Sequence, residues 1–348
     1  MRVFRLLIGT GVLGVALAFA CGSPFTALAQ YRSEVTTQSI AAPKTKPRLA
    51  IQTAQQEPSA TQPAVQDRCL DPKDVPDADG DFTRNMEALR SPELCISYYE
   101  FPEGPLTWKL QVIRKKDKPQ GPLWFIPHDN EDAAFDTAVK SVMVYGGTIV
   151  AVETGGQRLN HGQDPNRNFD AGGDRKCPQQ IARSPRYTEE VLKWWDRSQP
   201  IIALHSNMPS GNIKITRQVP FSTNFPALKK KIGGVNPEHT LVFVASRDTP
   251  SADPNLRKFV DALNGEGVNV IYETVASKHS DCSLSNYASL RNIRTYLNVE
   301  VITGDSAVQV KIVNVIMKLL AEDPIGPRVV TTEGEKKPQK KGKTTATK

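Results

Sequence analysis

The sequence predicts an α/β fold: a single domain with a central mixed, mostly parallel β-sheet flanked by helices on both faces. Short apolar runs alternate with amphipathic ones through residues 105 to 325, the pattern of strands joined by crossover helices. Several runs are continuously apolar, which marks strands covered on both faces. Polar residues follow directly after two of these runs, where sheets of this class bind ligands.

The elements follow in order. Leu106 to Ile113 alternates and reads as a strand. Leu123-Trp124-Phe125-Ile126 is a buried strand. Ala133 to Tyr145 has helical spacing, with Phe135, Val139, Val142 and Met143 on one face. Thr148 to Val152, Ile201 to Leu204 and Leu241 to Ala245 read as strands. Asn255 to Leu263 is a helix closed by Asn264-Gly265. Val268 to Tyr272 and Leu297 to Ile302 are further strands, and Val308 to Leu320 is the last helix.

The ends have a different character. Met1-Arg2-Val3-Phe4-Arg5 is basic, Leu6 to Ala20 is apolar, and Ala27-Leu28-Ala29 offers an A-x-A cleavage site. Residues 1–29 therefore read as a signal peptide. Their apolar run is shorter than the roughly 20 residues of a membrane span. The expected location is the periplasm or the medium. A lipoprotein anchored through Cys21 is the weaker reading, because Ala18-Phe19-Ala20 lacks the expected Leu. Residues 30–66 are rich in Gln, Thr, Ala, Pro and Ser and read as a disordered linker. Residues 67–104 are assigned as an N-terminal extension of the domain, residues 105–325 as its body, and 326–348 as a disordered basic tail.

The formal charge of +7 is concentrated in that tail, where Glu335 to Lys348 holds six lysines and one glutamate. Such a run is solvated, with at most weak contact to an anionic envelope surface. No nucleic-acid module is present, so no nucleic-acid partner is expected. Past the presequence stand four cysteines, Cys69, Cys95, Cys177 and Cys282. Export makes disulfides the expectation, and three pairings are open. The working choice is Cys69–Cys95, within the extension, and Cys177–Cys282, between loops near the site.

Two of the five histidines, His128 and His205, directly follow apolar runs. His128 and Glu131 are three apart and can face one ion from a turn, with His205 arriving from another strand end. Hydrolytic zinc sites use three such protein ligands. Each piece alone also fits a satisfied polar residue. Between them lies Arg158-Leu159-Asn160, then Asp164-Pro165-Asn166-Arg167-Asn168-Phe169. In order and spacing, this set resembles the zinc carboxypeptidases, or funnelins. Arg158 stands nine residues before Arg167, a compact arrangement that looks like the bacterial murein-peptide carboxypeptidase/amidase branch. The likeness runs over about residues 105 to 322.

The resemblance implies one Zn2+ per chain on His128, Glu131 and His205. It implies Glu300, on the late strand before the closing helix, as catalytic base, with Glu273 as its rival. It further implies Arg158 as stabiliser of the developing oxyanion, and Asn166 and Arg167 as the grip on a free substrate carboxylate. Tyr287 is the candidate for a covering tyrosine, with Tyr272 behind it. Asp281 stands where an acidic residue would favour an amine-bearing side chain such as Lys or diaminopimelate. His161 is a candidate for support behind the ligands. The expected protein is a monomeric hydrolase of peptides or murein peptides. The alternatives are an N-acyl amino acid deacylase of the succinylglutamate desuccinylase/aspartoacylase type, and an inactive binding protein on the same fold.

Overall fold

The computed structural model describes residues 69–170, 177, 180–208, 210–211, 213–228, 232 and 237–326, all within one unit of the chain, 64–348. The expected signal peptide, linker and basic tail lie outside the described residues, apart from Gly326. The chain opens with two single-turn helices, α1 (Asp81–Arg84) and α2 (Met86–Leu89). Then come β1 (Leu94–Glu103), β2 (Leu106–Lys115), β3 (Leu123–Ile126), α3 (Asp132–Tyr145), β4 (Thr148–Val152) and α4 (Pro185–Leu192). The second half holds β5 (Ile201–Asn207), β6 (Ser222–Phe225), β7 (Leu241–Ser246), α5 (Pro254–Gly265) and β8 (Asn269–Thr274). It closes with α6 (Leu284–Leu290), β9 (Tyr296–Ile302) and α7 (Ser306–Glu322). Among the described residues the strands form one sheet, in the order β1-β2-β4-β3-β5-β9-β7-β8-β6.

The mixed α/β sheet is the one expected, but its parallel pairings are not in the majority. The pairs β3–β4, β3–β5, β5–β9 and β7–β8 are parallel. The pairs β1–β2, β2–β4, β7–β9 and β6–β8 are antiparallel. The β1–β2 pair has a local cause. Glu103 pairs with Leu106, leaving a two-residue Gly104-Pro105 loop, with Gly104 at φ +59°. A two-residue hairpin loop with a left-handed Gly first enforces antiparallel pairing.

Period-two alternation explains the continuous apolar runs. Trp124, Ile126, Ile202 and Leu204 enter a core beneath α3, α5 and α7, with Phe135, Val139, Phe259 and Ile312. Leu123, Phe125, Ile201 and Ala203 enter a second core on the other face, with Trp108, Phe169 and Tyr187. Both faces are thus dry, so neither needs polar positions. Each fully buried Leu, Ile or Phe contributes roughly 1.5–3 kcal/mol, and these strands supply many.

The extension is knitted to this sheet. Leu70 bridges Ile96, and a disulfide joins Cys69 to Cys95 on β1. A second disulfide joins Cys177 to Cys282, so the working pairing from sequence is the one observed. No helix among the described residues is long and apolar enough to cross a membrane. One buried side chain ties the last helix to the sheet: Gln309 Nε2 of α7 donates to His205 O at 2.9 Å and Val299 O at 3.2 Å.

Candidate functional site

The sheet brings three distant segments together. His128 follows β3, and the chain turns at once into α3, with Glu131 N donating to His128 O at 3.2 Å and Ala134 N to Glu131 O at 2.8 Å. His205 lies in β5, the parallel neighbour of β3. His128, Glu131 and His205 are all buried, and each offers a ligand atom within 4.8 Å of the others. His128 Nδ1 is 2.9 Å from Glu131 Oε1 and 3.2 Å from His205 Nδ1. His205 Nδ1 is 3.2 Å from Glu131 Oε2. Donors around a four-coordinate ion at zinc distances stand about 3.3–3.4 Å apart. Two imidazole nitrogens and a carboxylate, buried and converging, are a donor set that fits a zinc-like ion.

The donors are held from behind. Asp164 Oδ1 accepts from His128 Nε2 at 2.9 Å, which fixes the ring and leaves Nδ1 to face the centre. Burial pushes the Asp164 carboxyl up, but the His128 imidazole more than offsets it and holds Asp164 well below the usual range. Burial likewise opposes ionisation of Glu131, and His128 and His205 overcome it, so Glu131 too is held low. Ser206 N donates to Glu131 Oε2 at 2.9 Å. Asp164 was part of the sequence motif, yet its role beside His128 was not foreseen. Position was the available signal, since a buried ligating His needs a partner for its second nitrogen. His161, the sequence candidate for that support, lies instead in an exposed turn at φ +48°.

A cleft of about 230 Å³ opens beside the donors, and His128, His205, Arg158, Arg167 and Glu300 line it. Glu300 of β9 is the direct register partner of His205. It is buried, and Asn298 Nδ2 donates to its Oε1 at 3.1 Å. Burial is the main cause that raises its carboxyl above the ordinary value, despite the pull of His205. Arg158 is half-exposed, and its Nη1 donates to Glu131 Oε1 at 2.6 Å. The loop carrying Arg158 is pinned by Asp129, whose Oδ2 accepts from Thr154 N at 2.8 Å and Gly156 N at 2.6 Å.

The motif Asp164–Phe169 folds as a 3-10 turn, Pro165–Arg167, capped by the Asp164 side chain on Asn166 N. Arg167 lines the cleft, with Nη1 donating to Asn166 O at 2.8 Å and Nε 3.4 Å from Asp281 Oδ2. Asn166 also lines it, but its side chain is engaged within the protein. Its Oδ1 accepts from Leu284 N at 3.1 Å, and its Nδ2 lies 3.4 Å from His205 Nε2.

The structure does not bring Tyr287 into the cleft. It lies on α6 with its ring packed toward Phe169, centroids 6.2 Å apart, because the helix register turns it to the apolar core. Tyr272 is fully buried and donates to Asp248 O at 2.9 Å. Asp281 lines the cleft, paired with Arg167. Glu273, the rival for the base, lines it as well.

No protein-family description matches the chain, and no curated protein does. Solved structures similar to it include a metallo-carboxypeptidase from Burkholderia cenocepacia, at 14% identity and TM-score 0.40, covering 69% of this chain and 68% of that one. Another is a metallo-carboxypeptidase from Pseudomonas aeruginosa in complex with (2-guanidinoethylmercapto)succinic acid, at 13% identity and TM-score 0.37, covering 69% and 67%. A third is the succinylglutamate desuccinylase from Chromobacterium violaceum, at 12% identity and TM-score 0.35, covering 71% and 78%. The first two bear the class name that the sequence motifs suggested. Likenesses this distant carry no argument about activity, which rests on the cleft itself.

Proposed function

We propose that this chain is an exported zinc-dependent hydrolase of the metallocarboxypeptidase/amidohydrolase type, cleaving an amide bond next to a free carboxylate, with cell-wall peptides as its substrates. The observation that carries the reading is the convergence of two imidazole Nδ1 atoms and the Glu131 carboxylate in one cleft with buried Glu300 and cationic Arg167. Zinc on His128, Glu131 and His205 would supply Lewis-acid polarisation of the scissile carbonyl.

The remaining work falls to side chains. Glu300 takes a proton from the attacking water as the new C–O bond forms, and passes it to the amide nitrogen as the C–N bond breaks. Burial holds its carboxyl above the ordinary value, which makes it the stronger proton acceptor. Arg158 stabilises the charge that develops on the carbonyl oxygen. Arg167 holds the substrate carboxylate, a role for which a planar guanidinium is matched. Asn166 keeps the Arg167 turn and His205 in register. Two disulfides support export, since such bonds persist in oxidising compartments. A small-peptide substrate outside the bacterial cell membrane is found in murein.

The test is mass spectrometry of a substrate panel incubated with the mature protein, with and without a chelator. Murein stem peptides, ordinary peptides with free C-termini and N-acyl amino acids make up the panel. Chelator-sensitive loss of a C-terminal residue from a peptide is the expected result. Cleavage of N-acyl amino acids alone would replace the peptidase with a deacylase. No cleavage, from protein that neither contains nor takes up zinc, would leave a binding protein.

A further inference from the structure

The strand that carries Glu300 places a second polar side chain beside it. Asn298 and Glu300 stand two apart on β9, so both project from the same face of the sheet. Both line the cleft, and both are buried. Leu297, Val299 and Val301, which alternate with them, enter the core on the other face. The register partners of Asn298 are Ala203 of β5 and Phe243 of β7, and neither side chain can hydrogen-bond to it. An apolar residue would suit that place, so an amide there needs a reason.

The amide has one partner. Its Nδ2 donates to Glu300 Oε1 at 3.1 Å, while its Oδ1 is buried and meets no donor among the described residues. Turning the amide over would set Oδ1 against the carboxylate oxygen, acceptor against acceptor, so Glu300 decides which way it points. A buried acceptor left unmet destabilises the fold. Asn298 therefore sits here for its contact with Glu300 rather than for packing.

Glu300 depends on that contact. Among the described residues no Lys or Arg pairs with its carboxylate, and Asn298 is its one hydrogen-bond donor. The two oxygens are thereby made unequal: Oε1 is engaged and Oε2 is left free. The rival carboxylate of the cleft shows the contrast. Both oxygens of Glu273 are occupied, Oε2 by Ser285 Oγ at 2.9 Å and Oε1 by Asn286 Nδ2 at 3.0 Å. A general base needs one oxygen free to reach the proton it takes, and a fixed direction for it. Glu300 with Asn298 has that form, and Glu273 does not.

We propose that Asn298 is the positioning residue of the general base: its Nδ2 fixes Oε1 of Glu300, so that Oε2 is presented to the attacking water. The proton passes from water to Oε2 and on to the amide nitrogen of the substrate, and Asn298 exchanges none. The inference deepens the hydrolase reading and rests on it for the task of Glu300, whereas the hold of one side chain on the other is tested without turnover.

Two measurements on the full chain test it. The first is thermal unfolding of the wild type, Asn298→Ala, Glu300→Ala and the double variant. Asn298→Ala should lower the melting temperature of the wild type by about 2–4 °C. In the Glu300→Ala background it should leave the temperature level or raise it, because the amide has no partner to lose. Equal losses in both backgrounds would overturn the proposal, whatever the chain catalyses. The second is steady-state cleavage of a peptide with a free C-terminus. Asn298→Leu puts an apolar side chain of similar volume in place of the amide, removing the unmet acceptor together with the donor, and should not lower the melting temperature. It should still reduce kcat by roughly 10- to 100-fold, the scale of a misplaced catalytic group, with zinc content unchanged. In a Glu300→Gln background the same substitution should change kcat by less than about twofold, since no base is left to position. An undiminished kcat in Asn298→Leu, or an equal loss in both backgrounds, would refute the positioning role and leave the hydrolase intact. Coupled unfolding in a wild type that cleaves no peptide would defeat the hydrolase reading and leave Asn298 holding Glu300.

Discussion

His205 and Glu300 face each other as register partners on two parallel strands, β5 and β9. Paired residues in a parallel sheet send their side chains to the same face, so one strand pair delivers a metal-competent imidazole and a buried carboxylate into one cleft. That relationship separates Glu300 from Glu273, whose strand β8 pairs with β7 and β6 rather than with β5. Glu300→Gln should keep its zinc and lose turnover by about 100-fold or more, the usual scale of general acid–base catalysis. Metal content and kcat measured on the same preparation check this. Undiminished kcat would hand the base to another residue, with Glu273 first in line.

The Asp164–His128 contact gives a second expectation. A carboxylate behind a ligating imidazole fixes its tautomer and raises its donor strength, typically at 10–100-fold in metal affinity. Asp164→Asn should weaken zinc binding by about that factor in competition with a chromogenic chelator. His205→Ala should abolish it. Unchanged affinity in Asp164→Asn would mean that the 2.9 Å contact orients nothing of consequence, and full occupancy in His205→Ala would remove His205 from the donor set.

How far the sequence led depended on what each signal encoded. Leu123–Ile126 and Ile201–Leu204 were legible because two covered faces force continuous apolarity, and the histidines after them were legible because strand ends of this class carry sites. The hairpin strand β1 was not picked out, although Gly104-Pro105 marks its turn. Strand β6, Ser222-Thr223-Asn224-Phe225, sits at the sheet edge with half-exposed residues and leaves no apolar period to read. Helix α6 is short, and its Ser283 cap was the only strong local signal. The packing of Tyr287 toward Phe169 was not legible, because motif spacing fixes a position in the chain and not the direction of a helical side chain. Glu273 and Glu300 both line the cleft; the sequence ranked them by position ahead of the closing helix, and strand order, a long-range property, adds that Glu300 pairs with His205.

Arg167 permits a test that does not depend on the metal. If its guanidinium holds the substrate carboxylate, Arg167→Ala should raise KM by roughly 10- to 100-fold for substrates with a free C-terminal carboxylate. Amidated substrates lack that group and should respond little. Steady-state kinetics on matched acid and amide pairs reads the difference. An equal rise for both would point to a structural role through the Asp281 pair.

The last expectation concerns stability, away from the cleft. Asp79, Asp81 and Asp132 bring carboxylate oxygens within 4.8 Å of one another. The Arg84 guanidinium contacts Asp81, Asp132 and Asp136, so its charge is shared. Burial, then repulsion from Asp79, pushes the Asp81 carboxyl up to about 9. Burial, then repulsion from Asp129, pushes Asp79 up to about 6. Both values exceed the unfolded one of roughly 3.9, so the folded state binds more protons than the unfolded state between them. The cluster's contribution is fully present below about pH 4 and is lost as pH rises through 6 and then 9. Asp81→Asn keeps the volume and removes the proton uptake that folding demands of Asp81. Its melting temperature should exceed that of the wild type by about 2–4 °C at pH 8, the shift expected from roughly 1 kcal/mol in a unit of this size. At pH 5, close to the unfolded value, the folded wild type takes up its proton at much lower cost and the gap should narrow. Thermal unfolding of both proteins at the two pH values decides it: a variant less stable at pH 8 than at pH 5, relative to wild type, would show that the Arg84–Asp81 pair outweighs the repulsion.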